Sequence, residues 1–174
     1  MEIRVFAETI LYQSGLDAKI VDPGRVRDSD PGPARAIPKG PARDASLALR
    51  GRRPPRFPSA AALADPANRG AALHFFANHE LLALELMALV LLRFPHAPPA
   101  FRLSLVATMR DEQRHLQLYL NRMADHDVQL GDHGVSAFFW DALADARSPA
   151  AFAAGMGLTL EQANLDFASH FERA

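Results

Sequence analysis

The segment Asp111-Glu112-Gln113-Arg114-His115 holds the chain's only Glu-x-x-His. On an α-helix, residues three apart share a face, so a carboxylate and an imidazole at this spacing can grip one metal ion together. The spacing alone is a weak signal, and its value depends on what surrounds it. Here Phe101, Leu105, Thr108, Glu112, His115 and Tyr119 recur at intervals of three and four, which lays them along one helical stripe. The competing reading makes Glu112 part of a solvated face, paired with Arg110 or Arg114.

A metal site needs further donors, and the preceding segment offers them. Pro95 and Pro98-Pro99 bracket a tight connection, so the flanking helices are expected to run antiparallel as neighbours. Glu112 lies fourteen residues past Pro98 and Glu80 fifteen residues before Pro95. With a rise of about 1.5 Å per residue, both stand about 21–22 Å from the turn, level with each other. Glu85 misses that level by about 6 Å and is read as a hydrogen-bonded or ion-paired residue beside the site. His79 is nearly level but points about 100° away from Glu80. Glu80, with Ala83, Leu84 and Met87 on its face, is the expected donor.

A third segment supplies Glu161, set among Gly157, Leu158, Leu160 and Leu165. A carboxylate in such surroundings is costly to bury unless it meets a cation or hydrogen-bond donors. Three helices are thus expected each to turn an acid toward an apolar interior. Carboxylate oxygens with one imidazole suit iron or manganese. The chain has no cysteine, which excludes disulfides, thiolate zinc sites and cysteine nucleophiles. His170 follows Glu161 by nine residues, two and a half turns, and so faces elsewhere; it stands only as an alternate. His74 and Asn78 read as satisfying local polar contacts, His126 and His133 as exposed loop histidines, and Phe138-Phe139-Trp140 as a core plug.

The elements that must hold these groups are helical throughout. Asp65-Pro66 is an N-cap followed by proline at the first helical position, and a helical pattern runs from there to Phe94. Leu81 to Leu92 contains one charged residue, Glu85. That run is shorter than the roughly 18 residues a membrane span needs, so a central bundle helix is expected. The next helix runs to about Ala124, a shorter one covers 136–146, and Ser148-Pro149 opens a third long helix toward the C-terminus. Within it, Gly155 and Gly157 suggest close approach of a neighbour.

The remainder divides the chain. Residues 1–21 are expected to form a short helix. Residues 22–58 carry eight of the thirteen prolines, nine of the nineteen Lys and Arg residues and four acids, about +5 by that count. Such a stretch reads as an extended strap, in part disordered, joined to a helical domain over 59–174. Its basic run over 25–56, ending in Arg50, Arg52, Arg53 and Arg56, is more simply a solvated linker than a nucleic-acid contact, since no aromatic residues interleave for stacking. The net charge of −1 gives no general pull toward nucleic acid or acidic membranes. The N-terminus has no signal-peptide pattern, so a cytoplasmic protein is expected.

The segment His74 to Glu85, with Asp111-Glu-Gln-Arg-His115 and Gly155 to Asp166, resembles the uncharacterised bacterial ferritin-like family known as domain of unknown function 455. The resemblance covers residue 57 onward and, more loosely, the N-terminal part. It implies an all-α, ferritin-like antiparallel bundle related to di-iron carboxylate proteins. Those proteins use a glutamate on the first helix, Glu-x-x-His on the second, glutamate on the third and Glu-x-x-His on the fourth. Glu80, Glu112, His115 and Glu161 match the first three, with Glu85, His79, Asp166 and His170 as alternates. No second Glu-x-x-His exists here, and the sequence is expected to carry three long helices and to lack the fourth. Either the sequence is a fragment or truncated product whose fourth helix is cut away, or a homodimer or second polypeptide supplies that helix, or the centre has degenerated to one metal or none. Three functions follow as expectations: an oxygen-activating oxidoreductase with two iron or manganese ions, a non-catalytic metal-binding protein, or a structural protein that kept the bundle.

Overall fold

The computed structural model describes residues 1–161, with side chains to Leu158. The protein is all-α: no strand forms among the described residues, and a single isolated bridge joins Glu2 to Arg27.

The N-terminal segment forms α1 (Ile3–Tyr12) and a short α2 (Leu16–Lys19), two helices where one was expected. In α1, Ile3, Phe6, Ala7, Ile10 and Leu11 are buried, the three-and-four spacing of a helix with one apolar face. That face packs on α3 (Pro66–Arg93), the central helix. Asp65 caps α3, its carboxylate accepting from the Ala67 N–H at 2.9 Å, with Pro66 in the first turn. Every residue from Leu81 to Leu92 is buried. α3 is long and apolar enough to cross a membrane, but 78% of its most apolar window lies inside the protein, as in the core helix of a bundle.

After Phe94 the chain reverses tightly into α4 (Pro99–Ala124), which packs along α3. Arg102 seals this corner. Its guanidinium donates to the Leu91 and Phe94 carbonyls at 2.7 and 3.3 Å and forks onto the Asp28 carboxylate at 2.7 and 2.9 Å. The Leu91 carbonyl, one of the last in α3 and without a partner within the helix, is thereby satisfied.

The short helix expected over 136–146 is confined to α5 (Phe138–Leu143). Phe139 and Trp140 are buried, whereas Phe138 is exposed, so two of the three rings form the plug. Ser148 caps α6 (Pro149–Ala153), accepting from the Ala151 N–H at 3.1 Å. The chain then continues as a π-wound turn over Ala154–Glu161, not as the long regular α-helix expected. Gly155 meets its neighbour closely: a Cβ there would lie 2.6 Å from Leu143, while the Gly157 position is open. The remainder of the expected third helix lies outside the described residues.

Residues 22–58 run extended over this framework, with one 3-10 turn at Ala45–Leu47. The Lys19 ammonium donates to the Ala42 carbonyl at 2.7 Å and meets Glu85 at 3.1 Å. Arg43 reaches the same carboxylate, its closest approach 2.6 Å, and donates to Asn78 at 2.9 Å. The strap is thus pinned to α3 by the buried Arg43–Glu85 pair, because the one acid in the apolar stretch Leu81–Leu92 requires cations and that stretch holds none.

Candidate metal centre

The α3–α4 hairpin brings Glu80, Glu112 and His115 together, each with a potential ligand atom within 4.8 Å of the others. This is the one such group found among the described residues. His115 Nδ1 stands 3.1 Å from Glu112 Oε2 and 3.8 Å from Glu80 Oε2. The first distance follows from i, i+3 spacing on one helix; the second follows from the equal heights of Glu80 and Glu112 above the turn. Both carboxylates are mostly buried, and the imidazole is 54% exposed, so the group opens to the surface on the His115 side.

The electrostatics of the pair are those of two acids sharing too little positive charge. Burial, then the hydrogen bond and like charge of Glu112, push the Glu80 carboxyl up to about 9. Burial and the fields of Glu80 and Glu112 also raise the Tyr119 phenol. Two carboxylates this close hold a proton between them unless a cation replaces it. The donor set therefore fits a divalent metal: two hard oxygens and one imidazole nitrogen around one point.

One side of the group is walled by rings. Tyr119, one turn past His115, stacks on Phe76 with centroids 5.8 Å apart, and Phe57 from the strap packs edge-on against Phe75 and Phe76 at 4.9 and 5.5 Å. His79 is set in this wall, 4.0 Å from the Phe75 ring and stacked on Phe139 at 4.4 Å. Burial lowers its imidazole to about 4, and among the described residues its Nδ1 has no hydrogen-bond partner. It is not brought into the Glu80–Glu112–His115 group.

Glu85 is also apart, fully buried between Lys19 and Arg43. His74 accepts a hydrogen bond from the Gly131 N–H at 3.0 Å, and Asn78 joins Arg43 to the Ser136 carbonyl. The Glu161 side chain, Asp166 and His170 lie outside the described residues. Sequence reasoning missed Lys19 and Arg43 as buried cations. Their partner is dozens of residues away, and the sole signal was the unmatched charge of Glu85 in an apolar run.

An all-α protein with a carboxylate–histidine cluster between two antiparallel helices is the class that fold and site define. A family model described as protein of unknown function (DUF455) matches residues 6–173, and the chain belongs to that family. No curated protein and no solved structure matches the chain.

Proposed function

We propose that this protein is a ferritin-like metal protein that binds iron or manganese through Glu80, Glu112 and His115, with Glu161 as a further donor, and uses the metal for oxygen-dependent oxidation. The observation that carries this reading is the convergence of three metal-ligating side chains from two helices, with both carboxylates mostly buried. Three donors leave a transition ion short of the four to six it takes. Glu161, on the segment after α6, would be a further carboxylate donor.

The residues would do three things. Glu80 and Glu112 supply negative charge and surrender their shared proton when the cation arrives. His115 contributes a neutral nitrogen from the open side. The rings of Phe76 and Tyr119 close one flank against water, which keeps the local dielectric low and the ion–carboxylate attraction strong. Bound iron or manganese would supply redox chemistry with dioxygen.

The test is anaerobic loading with ferrous iron followed by exposure to air in an oxygen electrode. Dioxygen consumption above that of free iron, abolished in Glu80→Ala, is the expected result. Uptake of iron with no excess consumption would reduce the function to metal binding.

A further inference from the structure

We infer that Tyr119 is a further ligand of the metal centre, its phenolate oxygen binding the ion beside Glu80, Glu112 and His115 and favouring the trivalent state. This deepens the metal-centre reading and rests on it. Tyr119 follows His115 by four residues and Glu112 by seven, so all three share one stripe of α4. Its backbone stands about 6 Å beyond that of His115 along the helix axis. Long side chains on a helix lean toward its N-terminus and cover the preceding turn. For Tyr119 the preceding turn is the one that carries His115, so the ring leans back toward the two acids.

α3 holds the ring from the other side. Phe76 precedes Glu80 by one turn and lies almost parallel to the Tyr119 ring, with centroids 5.8 Å and planes 20° apart. Because α3 and α4 run antiparallel, this ring pair forms the layer next to Glu80 and His115. Phe57, Phe75 and His79 pack edge-on around Phe76 and keep it in place. The phenol is half-buried, and its hydroxyl makes no hydrogen bond among the described residues. Tyrosine hydroxyls removed from water usually find a partner. Burial, and after it the fields of Glu80 and Glu112, oppose ionisation of the phenol, so both carboxylates lie close enough to act on it. A cation bound between those acids reverses that field and favours the phenolate.

The chemistry of the enlarged set follows from its charge. Glu80, Glu112 and an ionised Tyr119 present three negative charges through hard oxygens, beside the neutral nitrogen of His115. That raises the donors from three to four and favours a trivalent ion over a divalent one. As the oxygen–metal bond forms, the phenol O–H breaks and its proton leaves to water on the open His115 side. No electron moves in this step.

The experiment loads the full chain anaerobically with ferrous iron, oxidises it in air and passes it through gel filtration. Iron content and the visible spectrum are then read on the same fractions. A phenolate on ferric iron gives a visible charge-transfer band that carboxylate and imidazole ligands do not. The sequence holds two tyrosines, and Tyr12 is exposed on α1, so Tyr12→Phe is the control. The expected result is a band in the parent and in Tyr12→Phe, and its loss in Tyr119→Phe, which keeps a ring to stack on Phe76. Persistence of the band in Tyr12→Phe assigns it to Tyr119 even where Tyr119→Phe also releases its iron. Iron in the parent without a band, a band surviving in Tyr119→Phe, or equal loss in both variants would overturn the ligand and leave the metal-centre reading intact. No iron in the parent would overturn both.

Discussion

Glu80 sits where burial and a neighbouring acid both oppose its charge, and this sets a pH dependence that metal should abolish. Its carboxyl titrates near 9 in the folded metal-free chain against 4.5 in a solvated one. The folded state therefore binds the extra proton between those values, and stability falls as pH rises from about 4.5 to 9, with a slope of up to about 1.4 kcal/mol per unit. Urea titrations of metal-free protein should show this fall, and Glu80→Gln should flatten it. His74 acts in the opposite direction. Burial, with His133 adding, lowers its imidazole to about 4, so the unfolded chain takes up its proton first and stability is lost as pH falls from about 6.5 to 4. His74→Gln, which keeps an acceptor for the Gly131 N–H, should flatten that acid limb in the same titrations. Glu80, Glu112 and His115 were legible as a group because helical rise converts residue numbers into heights on either side of a turn. His79 was placed equally well in height, but nothing in the sequence showed the rings of Phe75 and Phe139 that enclose it.

α3 was the most legible element, since a capped, nearly uncharged run bounded by proline admits few readings. Its partner in the strap was not legible. Glu85 demanded cations, but spacing could not say that Arg43 and Lys19 supply them. Removing Arg43 leaves a fully buried carboxylate with Lys19 alone, and breaking such pairs costs about 3–5 kcal/mol. Arg43→Ala should lower the urea midpoint accordingly and raise proteolysis within residues 22–58, whereas Arg35→Ala, at an exposed ion pair with Glu8, should change stability by less than about 1 kcal/mol. The π-wound turn after Ala153 also escaped the sequence reading, because the apolar pattern around Gly155 and Gly157 fits an α-helix as well. Gly155 itself was informative: the contact of its position with Leu143 is the close approach that a glycine inside a helix suggested.

At the scale of the molecule, the α3–α4 pair presents its acids on a side that the described residues leave open. His115 is half exposed there, and Leu118, one turn further along α4, is 66% exposed. The proposed centre needs more donors than the α3–α4 pair supplies, and we predict a dimer, or a complex with a second polypeptide, that covers this strip. Sedimentation should show it, with Leu118→Glu returning the protein to a monomer. The central claim is that Glu80, Glu112 and His115 hold metal, and the most direct test is metal per chain in protein loaded anaerobically with iron or manganese, beside Glu112→Ala/His115→Ala. The account predicts one to two ions per chain in the parent, retained through gel filtration and lost in the variant, with both proteins equally folded. Equal metal in parent and variant, or none in either, would contradict it.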